Sequence, residues 1–297
     1  MIVSRRFFAW EDVDLRRWLF RHPSFLVKIV AGRGVWSEDR LWEGARLWAL
    51  VHDWPSITIP MRGRGVIRSA TAAMEMGGGQ VGFVARGSDF RARTEPPPGF
   101  GVFVQWDPAV FGQPSDCPLV GQRLSTKDQA RIEAVLLRLT ADSHAPMEAE
   151  AGVADLFQIL GALGVLAARP DAGDLITSPA PRTVLTGRAI DRVLSRTSDR
   201  PMVVDLTTVL GCSERHARGL VREYADAYAL QGATTWRSLV SLWRTYLAGL
   251  LMTAPNATTE RVATVLGYGS PTAFCHSLAN AGLPSPGEMR RIVADLG

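Results

Sequence analysis

Residues 206–222 run Leu206-Thr207-Thr208-Val209-Leu210-Gly211-Cys212-Ser213-Glu214-Arg215-His216-Ala217-Arg218-Gly219-Leu220-Val221-Arg222. A short apolar helix from Val203 to Leu210 is expected to stop at Gly211, because glycine takes the left-handed conformation that ends a helix at little cost. Ser213 then caps a second helix from Glu214 to about Tyr224. Thr207, four residues before the glycine, is small enough to let the two helices cross closely. The plan returns downstream. Val262-Ala263 precede Gly267-Tyr268-Gly269-Ser270, and a helix with Thr272, Phe274, His276 and Leu278 follows. Short helix, tight turn and capped second helix make a helix-turn-helix, whose second helix enters the major groove of DNA. One copy is weak, since Gly followed by Ser separates helices in many proteins. Two copies with their glycines 56 residues apart are far more specific.

The segments around these motifs read as helices too. Ile190, Val193 and Leu194 mark a helix ahead of the first motif. A long helix opens at Thr234 or Thr235 between the motifs, with Trp236, Leu239, Val240, Trp243, Leu247 and Leu250 on one stripe. From Trp236 to Met252 it spans about 25 Å at ~1.5 Å per residue. Glu260 to Leu266 is short and stops at Gly267. Pro271 sits at a first turn, where proline is tolerated. Ser285-Pro286 opens a closing helix.

This arrangement resembles the C-terminal domain of the AraC/XylS family of transcription regulators over about residues 183–297. The likeness is carried by Val262-Ala263, Gly267-Tyr268, Ser270, Thr272, Phe274 and Leu278, then Ser285-Pro286-Gly287-Glu288-Met289-Arg290, which is similar to the family's closing Ser-Pro-x-x-Tyr-Arg with Met for Tyr. The chain departs from the family pattern at several places. Thr207 stands where the family usually has Ala, Ala217 replaces a core Leu, and Gly219 replaces a characteristic Arg. His276 sits where Arg is usual. The loop after Tyr224 is longer, and Trp243-Arg244 stands one place off the linker helix's expected Arg-Leu.

The exposed face of the first recognition helix should carry Glu214, Arg215 and Arg218. Arginine can bind guanine O6 and N7 bidentately or clamp a phosphate. His216 is expected to approach the DNA backbone, Arg222 joins the DNA-binding set further along the helix, and Ser213 opens it. In the second motif the resemblance places Thr272, Ala273 and His276 at base-facing positions, with Ser270 opening the helix. They are a poorer reading set than arginines. Each arginine can equally be read as a solvated surface charge, and Cys212 and Cys275 as small core fillers. Residues 183–297 hold twelve arginines, no lysine and nine acidic residues, a net charge of +3. That modest charge implies weak affinity of one subunit and reliance on a homodimer.

Residues 1–124 have a different texture. Leu26-Val27-Lys28-Ile29-Val30, Ile57-Thr58-Ile59, Val81-Gly82-Phe83-Val84 and Val102-Phe103-Val104 are short apolar runs. Gly63/Gly65, Gly77-Gly78-Gly79 and Pro96-Pro97-Pro98 separate them. Seven of the nine tryptophans fall before residue 112. The reading is an antiparallel β-sandwich or barrel. Residues 57–65 and 74–84 loosely resemble the cupin-like jelly rolls that serve the same family as sensor domains. A small-molecule effector is the expected ligand there, in an apolar pocket lined by Trp48, Trp54, Phe83 and Trp106. Arg62 and Arg64 are its polar anchors, unless they only line a solvent-facing strand.

Residues 125–169 change period, with Ile132, Val135, Leu136 and Leu139 on one helical stripe and Val153, Leu156, Phe157, Leu160 and Leu163 on another. These helices either cover the sandwich or pair with their twins as a dimerisation segment. Residues 170–182, with Pro170, Gly173, Pro179 and Pro181, read as a linker to the DNA-binding domain at 183–297.

The whole is an α+β chain of 297 residues, 46% apolar, with formal charge +4. Its apolar content excludes a disordered tail. Cys117, Cys212 and Cys275 lie too far apart for a CxxC pair, a zinc ribbon or a disulfide framework, which fits a reducing cytoplasm. No apolar run is long enough for a membrane helix, and Met1–Trp10 lacks the pattern of a signal peptide. Of the 33 basic residues only Lys28 and Lys127 are lysine. His22 and His52 have no partner at metal-ligand spacing, so no metal or other cofactor is expected. No phosphate loop or nucleophile elbow is present, so no enzyme is expected. The expected function is a DNA-binding transcription regulator, responsive to an effector through residues 1–124. The alternative is a ligand-binding or protein-interaction protein whose helix-turn-helix domain no longer reads DNA, a reading that Gly219 supports.

Overall fold

A computed structural model of the chain describes residues 2–10, 13–33, 36–39, 54–68, 73–84, 91–112, 121–141, 146–166, 180–194, 201–227, 233–252, 254 and 256–294. Contacts divide the chain into two compact units. An N-terminal unit is formed by Met1–Gly34, His52–Phe90 and Thr94–Ser178. A C-terminal unit holds Pro179–Gly297, with Val35–Val51 and Arg91–Arg93 grouped with it.

The strands are β1 (Ile2–Trp10), β2 (Val13–His22), β3 (Phe25–Arg33), β4 (Trp36–Asp39), β5 (Ser56–Arg68), β6 (Ala73–Met76), β7 (Gly82–Val84) and β8 (Arg91–Trp106). They form one eight-stranded sheet ordered β1-β2-β3-β8-β5-β6, with β4 beside β8 and β7 beside β5. Pairs β1–β2, β2–β3, β3–β8, β5–β6 and β5–β7 are antiparallel. All four expected apolar runs are in or beside strands. The separators behave differently. Gly63 and Gly65 lie inside β5, and Gly63 takes a left-handed φ of 88° there. Pro96-Pro97-Pro98 lies inside β8, but pairing of β8 with β3 begins only at Gly99. The prolines, which cannot donate, thus stay out of that ladder. Only Gly77-Gly78-Gly79 makes the expected turn, with Gly79 at φ 78° and donating to the Pro60 carbonyl at 2.6 Å.

Register puts Phe20, Val27 and Val104 in one cross-strand row, Trp18, Ile29 and Val102 in a second, and His22, Phe25 and Trp106 in a third. All nine are buried. Such rows are the unit of sheet stabilisation. The first helix, α1 (Pro108–Phe111), is followed by α2 (Thr126–Thr140) and α3 (Pro146–Ala162). Ser125 caps α2 through the Asp128 amide at 3.1 Å. Phe157 of α3 meets the Phe25 ring at 5.0 Å and the Phe111 ring at 4.8 Å.

The helical stripes are therefore occupied. Ile132, Val135, Leu136 and Leu139 of α2, and Val153, Leu156, Phe157 and Leu160 of α3, belong to the same buried cluster as the sheet rows, with Leu163 packed against it. These two helices cover the sheet. The stripes proposed for a dimer interface are the inside of the unit, because burying them against β-strands of the same chain needs no partner. α2 and α3 also pack on each other closely enough that a Cβ at Gly152 would lie 2.7 Å from the Leu139 side chain.

The C-terminal unit is helical: α4 (Pro181–Leu194), α5 (Val203–Leu210), α6 (Glu214–Ala227), α7 (Trp236–Met252), α8 (Thr259–Val265), α9 (Pro271–Asn280) and α10 (Pro286–Ala294). α7 has the bounds expected from its stripe, and Trp236, Leu239, Trp243 and Leu247 are buried. α10 opens with a capping box. The Ser285 amide donates to the Glu288 carboxylate at 2.8 Å and the Glu288 amide donates to Ser285 Oγ at 3.3 Å. The Ser285 side chain and backbone hold the Glu288 carboxyl below its ordinary range. Among the described residues no helix is long and apolar enough to cross a membrane.

Candidate nucleic-acid interface

Each motif is built from the same local parts. α5 ends at Gly211, whose φ of 64° is left-handed, and the Cys212 amide closes the turn by donating to the Thr207 carbonyl at 3.2 Å. α8 ends beside Gly267 at φ 70°, and the Tyr268 amide donates to the Ala263 carbonyl at 2.8 Å. Thr207 and Ala263 are the two small residues that the spacing singled out. Thr207 tolerates its hydroxyl in that place because Oγ1 donates to the Val204 carbonyl at 2.8 Å. Ser213 Oγ accepts from the His216 amide at 3.4 Å, and Ser270 Oγ accepts from the Ala273 amide at 3.1 Å. The second turn is one residue longer than the first.

With the caps superimposed, the two second helices show one pattern. Ala217 matches Phe274 and Val221 matches Leu278, and all four are buried. Ala217 is packed although it is smaller than the residue the resemblance expects there. The outward positions match as well, except that the exposed Arg218 corresponds to the half-buried Cys275. On α6, Glu214, Arg215, His216, Arg218, Gly219 and Arg222 are exposed. On α9, Pro271, Thr272, Ala273 and His276 are exposed, as are Ser213 and Ser270 ahead of the helices. Every residue assigned from sequence to the DNA-facing set is thus at the surface. The sets differ in charge: α6 presents three arginines, and the exposed positions of α9 present no arginine or lysine.

Three features escaped the sequence reading. Glu214 Oε2 lies 3.0 Å from Arg218 Nη2, an i,i+4 pair that the spacing alone could have shown. Both side chains are exposed, so the pair stabilises by only about 0.3–0.5 kcal/mol and mainly steers Arg218. Arg182 of α4 meets Glu223 of α6 at 3.0 Å, tying the preceding helix to the second helix of the first motif. Tyr268, in the second turn, packs its ring at a tilt on Phe274 with ring centres 5.3 Å apart, and its hydroxyl lies 2.9 Å from Ser277 Oγ. The Arg244 guanidinium of α7 sits 5.1 Å from the Tyr268 ring centre, so the displaced Trp243-Arg244 pair puts one residue in the core and the other on the second motif.

The effector set fares differently. Trp106 is fully buried, and its indole donates to the Gly112 carbonyl at 3.1 Å. Phe83 packs on it with ring centres 6.5 Å apart. Trp106 is a core residue, and the half-buried Phe83 packs against that core. Trp54 is half-buried, and Trp48 lies outside the described residues. Arg62 and Arg64 are exposed. Arg62 Nε donates to Glu133 of α2 at 2.9 Å, and its guanidinium lies 5.7 Å from the Phe100 ring. Arg62 thus bridges β5 and α2, and nothing brings it to the aromatic pair. Among the described residues no group of His, Cys, Asp or Glu could hold a metal ion. Cys212 and Cys275 are half-buried free thiols.

No family model matches this sequence, and no curated protein sequence does. Solved structures do. An AraC-like transcriptional activator, CuxR, overlays 73% of this chain and 75% of its own at 15% identity and a TM-score of 0.38. ToxT from Vibrio cholerae overlays 90% of this chain and 98% of its own at 10% identity and a TM-score of 0.35. The EutQ protein of Clostridium difficile covers 32% of this chain and 69% of its own at 10% identity and a TM-score of 0.24. At such scores the overlays carry no weight beside the motif geometry. One of these solved structures is of an AraC-like transcriptional activator, and the paired motifs of this chain resemble those of that family.

Proposed function

We propose that the chain is a DNA-binding transcription regulator that reads duplex DNA through α6 and α9. The observation that supports this reading is the repeated geometry. Two motifs share one turn hydrogen bond, one cap and one buried pair, and each turns a matching set of positions outward. In the first motif, Arg215, Arg218 and Arg222 bind phosphates and guanine edges, with Glu214 steering Arg218 and His216 beside the backbone. In the second, Thr272, Ala273 and His276 meet base edges through a methyl, a small surface and one ring nitrogen. The weak charge of α9 makes the first motif the electrostatic anchor. The reading also holds that an effector acts through the N-terminal unit. A metabolite that raises the melting temperature of the full chain and alters its DNA affinity is the direct sign of that part.

The test is binding of the full chain to duplexes selected from a random-sequence pool, measured from 50 to 200 mM salt. The slope of log K against log salt should be about −0.9 for each phosphate contact. Arg215→Ala and Arg222→Ala should each flatten it by about one such step. A chain that recovers no duplex at low salt would instead favour a protein-interaction role.

A further inference from the structure

Glycine in a helix interior destabilises it relative to alanine, so each such glycine needs a reason. Gly152 in α3 has one inside the protein, since a Cβ there would meet Leu139 at 2.7 Å. Gly219, in the middle of α6, has none. Its φ is not among the positive ones, and a Cβ there would meet nothing within 4 Å. Neither the backbone nor the packing of the described residues asks for glycine at this point.

Its position is telling. Gly219 is exposed, four residues after Arg215, three after His216 and three before Arg222, so it shares a helix face with all three. It also stands six residues after the cap Ser213, as His276 stands six after Ser270. The matching position of the second motif is therefore exposed and outward-facing as well.

We infer that Gly219 is where α6 makes its closest approach to the major groove, the missing side chain letting the helix backbone sit against the base edges while Arg215 and Arg222 reach the flanking phosphates. This rests on the DNA-binding reading above and adds to it a specificity-determining position that carries no functional group. A Cβ at 219 would be accommodated by the protein and refused by the DNA. Stability and affinity must then move in opposite directions, which a merely structural glycine cannot produce.

The experiment compares the full-length wild type with Gly219→Ala and Gly219→Arg. The probes are a duplex that the wild type has recovered from a random-sequence pool and a random-sequence duplex of the same length. Gly219→Ala is expected to melt at a higher temperature, bind the recovered duplex at least tenfold more weakly, and bind the random duplex nearly as well as wild type. Gly219→Arg is expected to bind the recovered duplex more weakly still, despite its added charge. Unchanged or tighter binding of the recovered duplex by Gly219→Ala would overturn the inference, as would a lowered melting temperature. Tighter binding by Gly219→Arg would overturn it too, marking position 219 as a lost phosphate contact. If the wild type recovers no duplex, the DNA-binding reading fails and this inference falls with it. If the wild type binds and Gly219→Ala binds equally, only the inference fails.

Discussion

Gly211 and Gly219 lie eight residues apart in one motif and are glycine for different reasons. At Gly211 the backbone decides. A φ of 64° costs a residue with a Cβ roughly 1–2 kcal/mol. No atom crowds that side, so the cost is conformational only. Gly211→Ala should therefore destabilise the chain by about 1 kcal/mol in denaturant melts, with α5 and α6 losing their fixed junction. An unchanged midpoint would mean that another residue sets the turn. Gly211 was readable from sequence because glycine four residues after a small residue and just before a cap has one use. Gly219 was not, because its contacts are absent rather than present. Pairs such as Glu214 with Arg218 were readable in principle from i,i+4 spacing. The contact of Arg244 with Tyr268 was not, because it joins α7 to the second turn, and nothing local in the sequence says that these meet.

Among elements, the helices of the C-terminal unit were the more legible, since caps and a 3.6-residue period mark them locally. α5, α7 and the start of α6 fall where the caps and the stripe put them. The sheet was harder. β1 and β2 were not foreseen, because β2 lacks the alternation that marks a half-buried strand. Trp18 and Phe20 face the core, yet Arg17 and Leu19 on the other face are buried as well. Lys28 on β3 is likewise buried, its Nζ 4.6 Å from the Phe103 ring centre. The stripes of α2 and α3 were seen at the right residues, but period alone cannot say whether an apolar face meets its own sheet or a second chain. The structure decides for the sheet. Leu136→Ala and Phe157→Ala should each cost about 2–5 kcal/mol of stability, as cavities in a filled core do. Light scattering on the folded fraction should show no change in the state of association. A variant of full stability with altered association would return the stripes to a dimer interface.

At the scale of the whole molecule, the C-terminal unit carries the second helices of two like-built motifs, α6 and α9, of unequal charge, on a framework that includes α7. Every position on which the DNA reading depends is exposed, and the apolar residues beneath the two second helices, Ala217 and Val221 in one and Phe274 and Leu278 in the other, are buried. That separation lets the DNA face vary without disturbing the fold. Three arginines sit on α6 and none on α9, so affinity should be lopsided while geometry stays paired. The measurement that tests this most directly is a hydroxyl-radical footprint of the full chain on a duplex that it has selected. Two protected segments about one helical turn apart, ~34 Å, on one face of the DNA are expected. Arg218→Ala should weaken one segment and His276→Ala the other. A single protected segment, or both substitutions erasing the same base pairs, would contradict a chain that reads DNA with two helix-turn-helix motifs.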